Sequence, residues 1–104
     1  MTGTIFEINI SRGGIPKRSI LSAALTPLGI EGDACAHPGI HGGLNQALLL
    51  IGLEVLEELQ LLGFKVYPGA LGENLTTVGL DYGQLRAGQR WFVGEQGLIE
   101  LTKL

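Results

Sequence analysis

Apolar and polar positions alternate along Thr4-Ile5-Phe6-Glu7-Ile8-Asn9-Ile10, a stretch rich in β-branched residues. That period of two predicts a half-buried β-strand. Gly13-Gly14 then turns the chain, and Pro16 bars a helix there. Residues 19–25 read as a second strand and residues 28–32 as a short third. Residues 33–43 carry Pro38 and several glycines and read as a loop, whereas the unbroken apolar run 46–51 predicts a buried central strand. Only one segment has helical periodicity. Between Leu53 and Leu62, Val55, Leu56, Leu59 and Leu62 form an apolar stripe, with Glu54, Glu57 and Glu58 facing away. Its glutamates fall early, where the helix dipole favours negative charge, and Gly63 is suited to cap its C-terminus. Further on, residues 90–93 and 98–104 are predicted strands joined by a Gly94-Glu95-Gln96-Gly97 hairpin connection. Many short strands and one helix predict a mainly β fold in a single domain spanning residues 1–104, with the helix as a lid or side support. Periodicity alone does not choose between a barrel and a sandwich.

Composition narrows the function. The chain of 104 residues is 45% apolar and 16% charged, which suits a packed core rather than disorder. A net charge of −3, with cations scattered along the chain, offers nothing to a polyanion, so nucleic acid is not an expected partner. The longest apolar stretch, residues 47–53, is too short to cross a bilayer, and no signal segment opens the chain. One cysteine excludes an internal disulfide and fits a reducing, cytoplasmic setting. The seventeen glycines are aperiodic and sit between apolar runs, as where strands meet tight turns.

Candidate chemistry gathers in two glycine-framed blocks. The first contains Asp33, Cys35, His37 and His41 within nine residues. Zinc is disfavoured because Pro38-Gly39 keeps the histidines off a common helical face and no second Cys/His cluster completes a tetrahedral site. His41, beside Gly42-Gly43, either bonds a backbone carbonyl to fix the loop or contacts a ligand. Cys35 is either a small inert residue or a reactive thiol, depending on whether positive charge lies near it. No nucleophile elbow or Ser-His-Asp signature is present. The second block, Pro68-Gly69-Ala70-Leu71-Gly72-Glu73-Asn74-Leu75-Thr76-Thr77, offers backbone donors and side-chain partners for a polar ligand edge. Its alternative reading is turn chemistry, with Asn74 bonding its own backbone and Glu73 pairing with a cation. Arg12, Lys17 and Arg90 could supply charge-assisted bonds to a phosphate, or simply be solvated.

These two blocks, with the opening Ile8-Asn9-Ile10-Ser11-Arg12-Gly13-Gly14-Ile15-Pro16-Lys17, resemble the MOSC domain. That family is named for the C-terminal domain of the molybdenum cofactor sulfurases and includes small stand-alone bacterial proteins. The resemblance runs from about Ile5 to Leu104 and implies a MOSC-like β-barrel. It also implies the molybdenum cofactor (molybdopterin) or a sulfur-bearing ligand held by Asp33, His41, Gly42, Gly43, Asn45, Gln46, Gly72, Glu73, Asn74, Thr76 and Arg90. At the level of the family it implies pterin, molybdenum-ion and pyridoxal phosphate binding, with a sulfur-donor protein as partner. If active, such a domain would carry sulfur as a persulfide or serve a molybdenum-dependent reductase. The family's functional cysteine lies beyond a strand like residues 97–103, whereas this sequence ends at Leu104. The resemblance therefore implies a barrel shortened at its C-terminal end, without the central sulfur atom, and Cys35 does not inherit that role. Two alternatives follow: a catalytically silent MOSC-like binding or assembly module, or a thiol enzyme using Cys35. An unpaired final strand would favour self-association, so a homo-oligomer is expected.

Overall fold

The computed structural model describes residues 2–34, 48–95 and 97–102. The chain order is β1 (Thr4–Ile10), β2 (Arg18–Ile20), β3 (Leu25–Thr26), β4 (Gly29–Ile30), β5 (Leu50–Gly52), α1 (Leu53–Leu61), β6 (Leu75–Val78), β7 (Arg90–Val93) and β8 (Gly97–Glu100). A turn of 3₁₀-helix at Tyr82–Gln84 lies between β6 and β7. The fold is mainly β with one helix, as the periodicities predict. The expected barrel is not what these strands form: among the described residues they make three separate sheets that do not close.

The largest sheet has the order β2-β1-β6-β5, with β1 antiparallel to both neighbours and β5 parallel to β6. A parallel neighbour needs a crossover, and α1 supplies it. Among the described residues the apolar run before Leu53 does not form a central strand. Only Leu50–Gly52 of its described part is extended, paired among the described strands with β6 alone, and residues 46 and 47 lie outside the described set. The predicted strand at 19–25 is divided between two sheets. Arg18–Ile20 pairs with β1, then the chain leaves at the fully exposed Leu21, and Leu25–Thr26 forms a small ribbon with β4. The β7–β8 hairpin is where the alternation placed it, although the second strand ends at Glu100.

The strand β1 does not bury its isoleucines as alternation predicts. A register shift between Ile5 and Glu7 leaves Ile5 and Phe6 exposed, and the residue it encloses completely is Asn9. The helix departs similarly from its predicted stripe. Leu56 is fully buried and Leu59 half-buried, but Val55 and Leu62 are exposed; among the described elements α1 packs chiefly on the short β5 and on β6. Its end is as expected. Gly63 has φ +96, its N–H donates to the Gln60 carbonyl, and Phe64 N–H donates to the Leu59 carbonyl. This pair of bonds is a Schellman cap, and glycine adopts the left-handed conformation without a Cβ penalty.

Among the described residues the buried apolar side chains are Ile30, Leu56, Leu75 and Leu85. The buried polar ones, Asn9, Glu73, Asn74, Thr76 and Thr77, outnumber them. Buried polar groups persist only where they are paired, so the centre of this fold is a hydrogen-bonded cluster. No described helix is long and apolar enough to cross a membrane.

Candidate functional site

The cluster is built on one face of β6 and the segment leading into it. Asn74 is its hub. Its main chain is bonded on both sides: its N–H donates to the Leu49 carbonyl (2.8 Å) and its carbonyl accepts from Asn9 N–H (2.7 Å). Its side-chain Oδ1 accepts from Leu49 N–H (3.1 Å), while Nδ2 donates to the Asn9 carbonyl (3.3 Å) and to Asp33 Oδ2 (2.9 Å). An amide is the side chain that can do this, since it both donates and accepts. Both flanks of residues 35–47 are thereby tied to one side chain, through Asp33 before the segment and Leu49 after it.

Asp33 is the charged corner. Its carboxylate accepts from Lys17 Nζ at 2.6 and 2.7 Å, from Ser11 N–H at 2.9 Å and from Asn74 Nδ2. The Lys17 and Asp33 side chains are only 10% and 13% exposed, so this ion pair is largely out of water. Burial pushes the Asp33 carboxyl upward, but the bonds from Lys17, Ser11 and Asn74 outweigh it and hold the group below its ordinary value. A second glycine contact positions Lys17 itself. Lys17 N–H donates to the Gly69 carbonyl (2.9 Å), and a Cβ on Gly69 (φ +91) would lie 2.3 Å from the Lys17 carbonyl oxygen. No other residue fits there.

The third part is a relay of side chains with almost no exposure. Asn9 Nδ2 donates to Thr76 Oγ1 (3.1 Å), and the Thr76 hydroxyl donates to Glu73 Oε2 (3.0 Å). Two oxygens at its ends, Asn9 Oδ1 and Glu73 Oε1, are buried with no partner among the described residues. Buried acceptors without donors are costly and rare, and they mark where a donor from elsewhere would be accommodated. Along β6 the opposite face is apolar: Leu75 and Thr77 point away from Thr76, with the Thr77 hydroxyl 2.8 Å from Tyr82 Oη. Burial raises the Tyr82 phenol above its ordinary value, with the Thr77 bond opposing and the nearby Glu54 reinforcing the shift.

The described end of the first glycine-framed block thus meets the second. Asp33 from the first and Gly72, Glu73, Asn74 and Thr76 from the second share one cluster, with Asp33 and Asn74 in direct contact. Gly72 (φ +89) closes the turn that delivers Glu73, its N–H donating to the Gly69 carbonyl. Neither turn reading holds in full, since Asn74 bonds three distant backbone and side-chain groups and Glu73 pairs with no cation among the described residues. Arg90 stands apart, on the β7–β8 hairpin, paired with Glu100 at 3.1 Å. Cys35, His37, His41, Gly42, Gly43, Asn45 and Gln46 lie outside the described residues. Sequence reasoning missed Asn9 and Ser11 as members. Alternation puts Asn9 on the same strand face as Glu7, the polar one, so no local signal marked it as buried.

The family model for the MOSC domain matches residues 37–104, well over half of the chain. The chain belongs to the MOSC family. No curated protein and no solved structure matches it. The matched span of this MOSC domain contains Glu73, Asn74 and Thr76, while Asn9, Lys17 and Asp33 precede it. The cluster is therefore assembled across that boundary, and β1 and the Lys17–Asp33 pair complete what the MOSC segment begins.

Proposed function

We propose that this MOSC-family chain binds a molybdenum-cofactor-related or sulfur-carrier-related ligand, with the Asn9–Glu73–Thr76 relay receiving its hydrogen-bond donors. The observation that carries this reading is the pair of buried oxygens without partners among the described residues, Asn9 Oδ1 and Glu73 Oε1, joined through Thr76. The donor set fits one part of the cofactor. The aminopyrimidinone edge of a pterin presents N–H groups, and a carboxylate oxygen and an amide oxygen are both acceptors for such donors. When bound, the cofactor would supply a molybdenum centre at which sulfur or oxygen is exchanged. The chain's own residues orient the ring edge and keep water from it. Lys17 fits a phosphate poorly, because Asp33 already engages its ammonium at 2.6 and 2.7 Å. Arg12, exposed beside Gly13-Gly14, is the cation available for that role.

The test adds molybdopterin to the purified chain and follows retained pterin by the fluorescence of its oxidised product. Wild type should retain it. Glu73→Gln, which keeps the shape but replaces an acceptor with a donor, should lose retention at least about tenfold, about 1.4 kcal/mol. Equal retention by both would overturn the role of the relay. Persulfide content, measured in wild type and Cys35→Ala, separates the alternatives. Persulfide lost in the mutant supports a thiol enzyme, whereas no retention and no persulfide leave a silent binding or assembly module.

The same proposal includes association of copies. Among the described residues neither β7 nor β8 pairs with a third strand, and the cross-strand pair Phe92 and Leu98 is exposed, Phe92 by 86%. Unpaired edges bearing apolar side chains favour strand addition. Sedimentation at about 10–100 μM should give a species larger than the monomer, which Phe92→Ser shifts toward monomer. A clean monomer for wild type would remove this part.

A further inference from the structure

The face of β6 opposite the polar relay borders an unfilled space of a different character. A cleft of about 300 Å³ separates the main sheet from the β7–β8 hairpin. Leu50, Leu75 and Ile5 form the wall on the sheet side, and Trp91, Val93 and Ile99 the wall on the hairpin side. Leu80 and Leu85, from the connection between β6 and β7, also line it. No lining residue is charged; the polar groups are three threonines, Thr2, Thr4 and Thr77, and the indole of Trp91. Strand alternation explains the separation: Leu75 and Thr77 enter the cleft, whereas Thr76 between them belongs to the relay.

We propose that this cleft is a second binding site, for a small uncharged aromatic or alicyclic molecule of about two rings. The volume decides the size. An apolar cavity of about 150 Å³ is enough for benzene, and about 300 Å³ is the lower end of natural small-molecule pockets, so two rings fit where a helix or strand would not. The lining decides the charge. A carboxylate or ammonium placed there would lose its hydration and meet no counter-ion. The threonine hydroxyls give one polar group on the ligand a partner, and Trp91 offers a ring face for offset stacking. The site does not depend on the ligand proposed for the relay.

Trp91 is the chain's sole tryptophan and reports on the cleft directly. The full chain is titrated with the neutral fluorophore N-phenyl-1-naphthylamine, exciting Trp91 and reading energy transfer to the probe. Saturable binding at one probe per chain is expected. Naphthalene should displace the probe at least about tenfold more effectively than 2-naphthoate, about 1.4 kcal/mol. Ile99→Phe, which fills the space, should weaken probe binding at least about tenfold, while Leu21→Ser, at a fully exposed position away from the cleft, should leave it unchanged. Displacement by both competitors alike, non-saturating binding, or a midpoint that follows protein concentration as a dimer interface would, each overturns the proposal. If Ile99→Phe fails to fold by circular dichroism, the competitor pair on wild type decides alone.

Discussion

Asn74 and Asp33 together account for most of the hydrogen bonds that hold the polar cluster to the rest of the chain. The pKa of the Asp33 carboxyl is lower in the folded state than the ordinary aspartate value, so the unfolded chain takes up the proton more readily. Its contribution to stability is therefore complete above about pH 4 and is lost as pH falls through the lower folded-state value. Urea midpoints measured from pH 7 to pH 2 should show this decline in wild type, and the Asp33→Asn variant should lack that component. At pH 7 the variant should be less stable by about 2–3 kcal/mol, because Lys17 is left almost buried without its partner. Thr76→Val tests the relay at the same scale. It keeps the shape, strands Asn9 Nδ2 and Glu73 Oε2, and should cost about 2 kcal/mol by urea denaturation. The charged corner was legible as residue types, since Asp33 and the Glu73-Asn74 pair stand beside glycines. That Asn9 joins them was not, because a long-range partner across 67 positions leaves no local pattern.

Elements were legible where local physics dominates. Residues of β1, α1 and the β7–β8 hairpin obey clear periods, and Gly63 ends the helix as its conformational freedom dictates. The described part of the apolar run before α1 lies beside β6 alone rather than between two strands, because an unbroken apolar stretch says that a segment is buried, not where it sits in a sheet. Likewise the 19–25 segment has strand-forming residues throughout, yet tertiary pairing divides it between two sheets. Two glycines separate conformation from space. Gly63 and Gly69 both have positive φ, but a Cβ at Gly63 would meet nothing within 4 Å, while one at Gly69 would collide with the Lys17 carbonyl. Gly63→Ala should therefore cost about 1 kcal/mol and Gly69→Ala more than about 3 kcal/mol in the same denaturation assay. Similar losses for the two would show that the Lys17 contact relaxes freely.

On the scale of the whole molecule, the resemblance to the MOSC domain identified the family and the strand pattern the mainly β class, while the described strands form three unclosed sheets rather than the expected barrel. Closure depends on pairings between elements far apart in sequence, which neither composition nor local period encodes. The open arrangement leaves large apolar side chains such as Leu21, Leu61, Leu62 and Phe92 in solvent.

Because β6 is the wall between a polar chamber and an oily one, its four residues cannot slide by a single step. A shift of one place would push a leucine among carboxylates and amides and a hydroxyl into hydrocarbon, along the full length of the strand at once. Length changes between Asn74 and Val78 should thus be survivable only in pairs: one inserted residue abolishes the cooperative thermal transition, while two restore the alternation at the cost of a bulge.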